Sequence, residues 1–378
     1  MCRELKTRRQ GQKPMPERIV IACGGTGGHL FPGIAVAEIC RKRGNEVLLL
    51  ISEKKIDSLA VEGYEHLTFE RVQSMAMPRL LSLSMVRFLF RFLVSGWRCM
   101  GILKKFDATV VLGMGGFTST APLLAGRLKG CRTLVHESNA IPGRANRLNA
   151  KFSDLVLLGL EACAEHFDAS KTRVVGTPLR SKLSERPHKA KVLQHFNLEL
   201  DRKTVLVMGG SQGARGINEM LSQALNTYVD AGVQLLHIAG IEDFEMVTKA
   251  FEESGEAGCV LKFCAEIGMA YTAADVAVCR SGASSLAELA CFGLPAVLIP
   301  YPFAAEDHQT RNAEIYERSG AALLYQQKDL NAAELAATLI ELTRDDERLA
   351  NMGDCMNSFA IVDAADQVCD AVETLANK

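Results

Sequence analysis

The chain has 378 residues, 48% hydrophobic and 23% charged, with a formal net charge of -1. That is enough chain for two domains of ordinary size, and the near-zero charge removes any global argument for nucleic acid as a partner. The 12 cysteines form no Cys-x-x-Cys pair, and several (Cys23, Cys40, Cys131, Cys279, Cys291) fall in predicted strands and helices. They read as reduced core residues of a cytosolic protein rather than a disulfide framework. Residues 1–17 are polar and basic, without the apolar core of a signal peptide. They read as a flexible leader, with Met15 as an alternative start.

The run Arg18-Ile19-Val20-Ile21-Ala22-Cys23 reads as a buried parallel strand. Gly24-Gly25-Thr26-Gly27-Gly28-His29 then turns the chain, and a helix is predicted from Ile34, with Pro32 tolerated in its first turn. Strand, glycine loop and helix aim backbone N–H groups and a helix dipole at a phosphate. The spacing is neither the Rossmann fingerprint nor a Walker loop. Further strands are predicted at 46–51 and 66–71, with a short helix at 56–62 between them. This alternation implies a doubly wound parallel sheet.

Residues 79–105 are unusually apolar, punctuated by Arg87, Arg91 and Arg98. At about 100° per residue these arginines share one stripe. Two arginines in mid-segment would each cost roughly 2.5–3.5 kcal/mol in a membrane span, which argues against one. A largely buried helix with a snorkelling basic edge and a helix resting on an anionic bilayer both remain open. The strand at 107–112 leads into a second glycine loop, Gly113-Met114-Gly115-Gly116. Two such loops at the carboxyl ends of parallel strands suggest a shared anion site. A strand at 131–135 ends in His136-Glu137-Ser138-Asn139, where polar side chains are placed to meet a ligand. A helix from 144 and strands at 154–158 and 173–175 complete this half. A Pro-containing charged segment at 176–188 reads as the domain linker.

The pattern then restarts. A strand at 204–208, the loop Gly209-Gly210-Ser211-Gln212-Gly213 and a helix at 217–229 echo the first half. Strands follow at 234–240, 259–263 and 276–279. Ser281 or Gly282 caps a helix with free N–H groups at Ala283, Ser284 and Ser285, where a phosphate fits without a metal. Glu288 lies further along, at a distance suited to both hydroxyls of a ribose. A strand at 295–300, a loop at 301–309 and a helix at 310–319 follow. The amphipathic tail from 357 to 376 is expected to pack back on the first half. No metal motif, Asp-x-Asp or nucleophilic triad is present, so no metal or cofactor is expected. The ligand implied is a nucleoside diphosphate between two α/β domains. Departing diphosphate would be stabilised by N–H groups, dipole and arginine. His29 suits a base by its ordinary pKa, although it could equally just shape its loop.

These residues resemble the MurG family, bacterial N-acetylglucosaminyltransferases of peptidoglycan synthesis. The match is carried by the three glycine loops, His136-Glu137-Ser138-Asn139, Cys279-Arg280-Ser281-Gly282-Ala283 and Pro300-Tyr301-Pro302 through Asp307-His308-Gln309-Thr310-Arg311-Asn312-Ala313. It runs in order from about residue 18 to the C-terminus. The resemblance implies a GT-B fold of two Rossmann-like doubly wound domains facing a central cleft. It divides the chain into leader (1–17), N-terminal acceptor and membrane domain (18–177), C-terminal donor domain (178–356) and returning helix (357–378). It implies inverting transfer of GlcNAc from UDP-GlcNAc to the 4-hydroxyl of MurNAc in lipid I, giving lipid II on the cytoplasmic face of the inner membrane. It also implies a peripheral seat on an anionic membrane surface, through the apolar segment 79–105, and an association with cell-wall and division proteins.

By position, the resemblance puts the donor at Thr26, Gly27, Gly28, Asn139, Arg180, Ser211, Cys264, Arg280, the run Ala283, Ser284, Ser285, Leu286, Ala287 and Glu288, and Gln309. It puts the acceptor at Gly113, Gly115, Gly116, His136 and Glu137, and it makes His29 the candidate base. Ser138 stands where the family usually has glutamine, Thr177 where it usually has asparagine, and Cys264 is smaller than the aliphatic residue sometimes found there. Another UDP-sugar enzyme of the same fold, such as a glycolipid glycosyltransferase or a UDP-GlcNAc 2-epimerase, is the runner-up. A non-catalytic sugar-nucleotide-binding scaffold is the alternative outside enzymes. A nicotinamide dehydrogenase is disfavoured by the glycine spacing.

Overall fold

The computed structural model describes residues 16–25, 27–53, 61, 63–73, 83–209, 213–255 and 257–377. The first half runs β1 (Arg18–Ala22), α1 (Gly27–Lys42), β2 (Glu46–Ser52), β3 (Thr68–Val72), α2 (Leu83–Phe106), β4 (Val110–Gly113), α3 (Thr120–Lys129), β5 (Arg132–Glu137), α4 (Arg144–Ala150), β6 (Leu155–Leu158) and β7 (Thr172–Val174). The second half runs α5 (Lys189–His195), β8 (Lys203–Met208), α6 (Arg215–Gln223), α7 (Leu225–Asp230), β9 (Val233–Ile238), α8 (Phe244–Ser254), β10 (Gly258–Leu261), α9 (Ile267–Ala273), β11 (Val276–Cys279), α10 (Ala283–Phe292), β12 (Ala296–Leu298), α11 (His308–Arg318), β13 (Ala322–Leu324), α12 (Ala332–Arg344), α13 (Asp346–Asn357) and α14 (Ala364–Ala376).

Each half is one parallel sheet, in the orders β3-β2-β1-β4-β5-β6-β7 and β10-β9-β8-β11-β12-β13. The central strands are apolar over most of their length because helices cover both faces: β1 buries Ile19, Val20, Ile21 and Ala22, and β8 buries Val205, Leu206 and Val207. In each sheet the chain order reverses once, between β1 and β4 and between β8 and β11. Open parallel sheets bind ligands beyond the strand ends at such a reversal. The loops there are the two glycine loops of the first half, and residues 209–214 and 280–282 of the second. The topology thus singles out the same loops as the composition.

The last helix leaves the second half and joins the first. Val368, Cys369, Ala371 and Val372 of α14 are buried in the core made by β1, β2 and α1. The thiols of Cys40 and Cys369 meet there at 2.7 Å. At the rim, Arg43 pairs with Asp366, Asp370 and Glu373. The 13-residue helix starts at Ala364; residue 357, where the sequence pattern begins, is the end of α13.

Several expectations are corrected. The helix expected at 217–229 is two, α6 and α7, because Ala224 (φ -108, ψ 11) leaves helical geometry. The expected helix at 56–62 lies largely outside the described residues. Pro32 is not in the first turn of α1: the helix already starts at Gly27, so Pro32 is its sixth residue. The segment 79–105 is not a largely buried helix. Its described part, α2, buries Ser95, Cys99 and Leu103 but exposes Val86, Leu89, Phe90, Leu93, Val94 and Trp97.

Candidate active site

The interior proline of α1 explains the first contact across the cleft. In an α-helix the N–H of residue i+4 donates to the carbonyl of residue i. Pro32 has no N–H, so the Gly28 carbonyl lacks its helical donor. Ser284, in the first turn of α10, supplies one: its Oγ lies 3.3 Å from that oxygen. This contact brings the N-termini of two helices, of 16 and 10 residues, face to face. Each presents the positive end of a helix dipole, and the first turn of α10 presents N–H groups without a helical carbonyl partner. In α10 the first helical N–H to find a carbonyl is that of Leu286, which donates to Gly282 O. Gly282 is the N-cap, and no side chain caps the helix. Ser281 is not a cap, since its Oγ donates to the Gln309 carbonyl at 2.8 Å.

His29 is the third residue of α1 and half-buried. Its ring fills space left by Gly115 and Gly116. A Cβ built on Gly115 would lie 2.8 Å from Nε2, and one on Gly116 would lie 3.3 Å from Cε1. Both glycines have left-handed backbone, φ 119 and 70, which side chains rarely adopt. The two glycine loops of the first half therefore meet on one imidazole. Gly113 is different. It is buried in β4, and a Cβ there would press on Leu123 and Ser119, so it packs the sheet instead of lining the cleft.

His136 and Glu137 are corrected in the same sense. They do not follow the strand but end it, and both are buried. His136 Nε2 lies 2.8 Å from the Gly176 carbonyl, which makes Nε2 the protonated nitrogen. Burial holds its pKa below the ordinary histidine value. Ser138 Oγ lies 3.3 Å from Nδ1. Glu137 accepts from the Asn139 N–H and side-chain amide and from Gly143 N and Asn146 Nδ2. These contacts occupy both carboxylate oxygens and orient the Asn139 amide, which is the half-buried member of the motif.

On the opposite wall, Arg180 lies over the Phe31 ring, 4.5 Å from its centroid, and 3.6 Å from Glu288 Oε1. Glu288 Oε2 accepts from the Tyr271 hydroxyl at 2.6 Å. The Glu288 side chain is only 13% exposed. Desolvation raises its pKa above the ordinary value, against the opposing effects of Arg180 and Tyr271. The Tyr271 hydroxyl is pushed up in turn by burial and by Glu288. Arg180 Nε is buried with no partner among the described residues. A cation and a carboxylate thus share a narrow site beside the α10 N-terminus.

The remaining candidates separate into two groups. Gln309 Oε1 accepts from Tyr301 N at 2.9 Å, which leaves its amide NH2 as the free donor. Two consecutive left-handed residues, Glu306 and Asp307 (φ 54 each), lead the chain into α11, and Glu306 pairs across the cleft with Arg144 at 3.1 Å. Cys264 is half-buried just after β10, and burial pushes its thiol up to about 11, so it is a neutral group at pH 7. Arg280, by contrast, is committed inside its own domain: it donates to the carbonyls of Ile299 and Pro300 and to Gln327. Leu286 is a core residue. Thr26 and Ser211 lie outside the described residues. Sequence reasoning missed Tyr271 and Phe31, which no local signal marks. It also missed the exposed acceptor at Gly28, which the four-residue Gly28–Pro32 spacing encodes. No group of three or more His, Cys, Asp or Glu is placed to hold a metal ion among the described residues.

Two facing doubly wound domains, with helix N-termini and a half-buried Arg180–Glu288 pair between them, place the chain in the GT-B class. Residues 19–158 match the glycosyltransferase family 28 N-terminal domain and residues 204–368 its C-terminal domain. Two relatives are the UDP-N-acetylglucosamine--N-acetylmuramyl-(pentapeptide) pyrophosphoryl-undecaprenol N-acetylglucosamine transferases of Geobacter metallireducens and Desulfotalea psychrophila. The first is 37% identical over 96% of this chain and 99% of its own length, the second 36% over 96% and 98%. Acinetobacter baumannii MurG superposes with a TM-score of 0.75 at 26% identity, over 95% of this chain and all of that one. The Neisseria meningitidis UDP-GlcNAc 2-epimerase, at 13% identity and a TM-score of 0.70, shares the fold. The chain belongs to the MurG family of glycosyltransferases within family 28.

Proposed function

We propose that this chain transfers GlcNAc from UDP-GlcNAc to the 4-hydroxyl of lipid-linked MurNAc, with inversion at the anomeric carbon. The observation that carries this reading is the meeting of two helix N-termini beside the half-buried Arg180–Glu288 pair. α10 offers the N–H groups of Ala283, Ser284 and Ser285 to the donor diphosphate, and Arg180 adds a cation. Glu288 accepts from the ribose hydroxyls, the half-buried run at Cys264 faces the base, and Asn139 and Gln309 hold the sugar. The α1 N-terminus, with Gly115 and Gly116, receives the acceptor diphosphate. The acceptor oxygen attacks the anomeric carbon opposite the leaving group. The bond from that carbon to the β-phosphate oxygen breaks, the proton passes to His29, and UDP leaves against the N–H groups and Arg180.

The test is release of UDP from UDP-GlcNAc, with and without a short-chain lipid I analogue, in EDTA. Release that requires the acceptor, with a product heavier by one N-acetylhexosamine residue, is the expected result. Release without acceptor, or tight donor binding without release, would overturn the reading.

The lipid-linked acceptor gives α2 a role in the same reading. Val86, Phe90, Leu93, Val94 and Trp97 recur at three- and four-residue spacing and form one exposed apolar stripe. The exposed Arg87, Arg91 and Arg98 flank it. Among the described residues no helix is long and apolar enough to cross a membrane. The stripe enters an anionic bilayer surface, with the arginines toward lipid phosphates, and holds the protein peripherally on the cytoplasmic face of the inner membrane. Trp97, 85% exposed, is the sole tryptophan. Its emission is expected to shift to shorter wavelength on adding phosphatidylglycerol vesicles, and F90E/W97E should lose co-sedimentation with them while melting at an unchanged temperature. An unshifted spectrum would remove α2 from the membrane contact.

A further inference from the structure

One side chain in the cleft belongs to neither wall alone. Asn312 is the fifth residue of α11 and fully buried. Its Oδ1 accepts from the backbone N–H of Ala140, in the other domain, at 2.8 Å. Its Nδ2 donates to Asn139 Oδ1, also across the cleft, at 3.1 Å, and to the Ser281 carbonyl in its own domain, again at 3.1 Å. The Ala140 N–H can only donate and the Ser281 carbonyl can only accept, so the amide has a single orientation. The network continues on both sides. Asn139 Nδ2 donates to Glu137 Oε1, which leaves Asn139 Oδ1 for Asn312, and Ser281 Oγ holds the backbone of Gln309.

We propose that Asn312 is a positioning residue that ties closure of the two domains to the orientation of Asn139 and Gln309. This rests on the reading above that Asn139 and Gln309 hold the transferred sugar. Asn312 touches neither reacting atom. Opening the cleft breaks its bonds to the Ala140 N–H and to Asn139 Oδ1. Glu137 holds the Nδ2 side of the Asn139 amide in either state, and Asn312 supplies a donor to its Oδ1 only in the closed state, so closure completes the set of bonds that fixes Asn139. The proposed uridine and diphosphate contacts at Ala283, Ser284, Ser285, Arg180 and Cys264 make none of these hydrogen bonds; the network comes nearest to them at Ser281, two residues before Ala283. Asn312 therefore separates sugar recognition from nucleotide recognition.

Asn312→Asp isolates this role. It preserves volume and keeps the acceptor for Ala140 N–H, but places a second oxygen against Asn139 Oδ1 and the Ser281 carbonyl. Binding of UDP and of UDP-GlcNAc is measured by calorimetry on the full chain without acceptor. UDP affinity is expected to stay within about twofold. UDP-GlcNAc is expected to bind about tenfold more weakly, and kcat/KM for transfer to fall by about 10²-fold, the scale of a misplaced substrate. Amide hydrogen exchange in the segment 139–143 is expected to quicken as the cleft opens. Equal weakening of both ligands, or no change in either, overturns the proposal. If Asn312→Asp does not melt cooperatively, Asn312→Ser is read the same way. A parent protein that binds UDP-GlcNAc but transfers nothing would refute the transferase reading, while the two affinities still decide the role of Asn312.

Discussion

Replacement of His29 by alanine is expected to lower kcat by about 10²- to 10⁴-fold, the range contributed by a positioned base, while the affinity for UDP-GlcNAc stays within about threefold. The structure explains why the two effects should separate. The imidazole is held between the third position of α1 and the backbone of Gly115 and Gly116, whereas the proposed nucleotide contacts lie on α10, Arg180 and Glu288. His29→Gln refines the result, since glutamine can still hydrogen-bond to the loop but cannot take a proton at neutral pH. Single-turnover transfer to a short-chain acceptor measures the chemical step directly. If H29Q keeps the parent rate while H29A loses it, the ring only shapes the glycine loops. If both keep it, His29 has no part in the chemistry.

Glu288→Ala is expected to weaken UDP-GlcNAc binding by about 10- to 100-fold. Hydrogen bonds to a charged group contribute about 1.5–3 kcal/mol, and about 1.4 kcal/mol is a factor of ten. The change also strips Arg180 of its carboxylate in a narrow, half-dry site. The pH dependence carries a sharper signature. Desolvation raises the Glu288 pKa above the ordinary value, and only the ionised carboxylate accepts from both ribose hydroxyls. Donor affinity should therefore fall as pH drops through that raised value, and E288Q should abolish this acid limb. Tyr271→Phe removes a hydrogen bond that favours the ionised form, so it should move the limb to still higher pH.

The sign for stability is opposite. A raised carboxylate pKa means that the folded chain holds this proton more tightly than the unfolded one. The contribution of Glu288 to the stability of the free protein is then greatest below the ordinary carboxylate range, and it is lost as pH rises through the raised pKa. Calorimetric binding between pH 5 and 8, with melting curves over the same range, would show the two trends running against each other. A flat binding profile in the parent protein would place Glu288 away from the ribose.

Much of this site is visible along the chain because its recognition elements are local. A glycine loop between an apolar strand and a helix marks a candidate phosphate site within a dozen residues, and such loops stand at 24–29 and 113–116. The free N–H groups at the start of α10 follow from the local sequence as well. His136, Glu137, Gly113 and Arg280 were harder to place. Each has the residue type and strand-end position of a ligand contact, but its polar groups or its lack of a side chain serve the protein interior. Pattern gives the position of such a residue and not the direction in which it faces. Tyr271 and Phe31 were invisible for the complementary reason: nothing in the neighbouring sequence distinguishes a tyrosine beneath a carboxylate from one in a core.

The sequence by itself determined the two-sheet α/β architecture, the positions of the glycine loops and the family, because hydrophobic period and glycine spacing act over a few residues. Tertiary structure alone decided the rest. It set which helix ends meet, through the carbonyl that Pro32 leaves free at Gly28 and the hydroxyl of Ser284. It made Glu288 a half-buried group facing Arg180 and Tyr271. It turned the apolar stripe of α2 outward. These are contacts between groups up to hundreds of residues apart, and their strength depends on burial and distance, which local sequence does not specify.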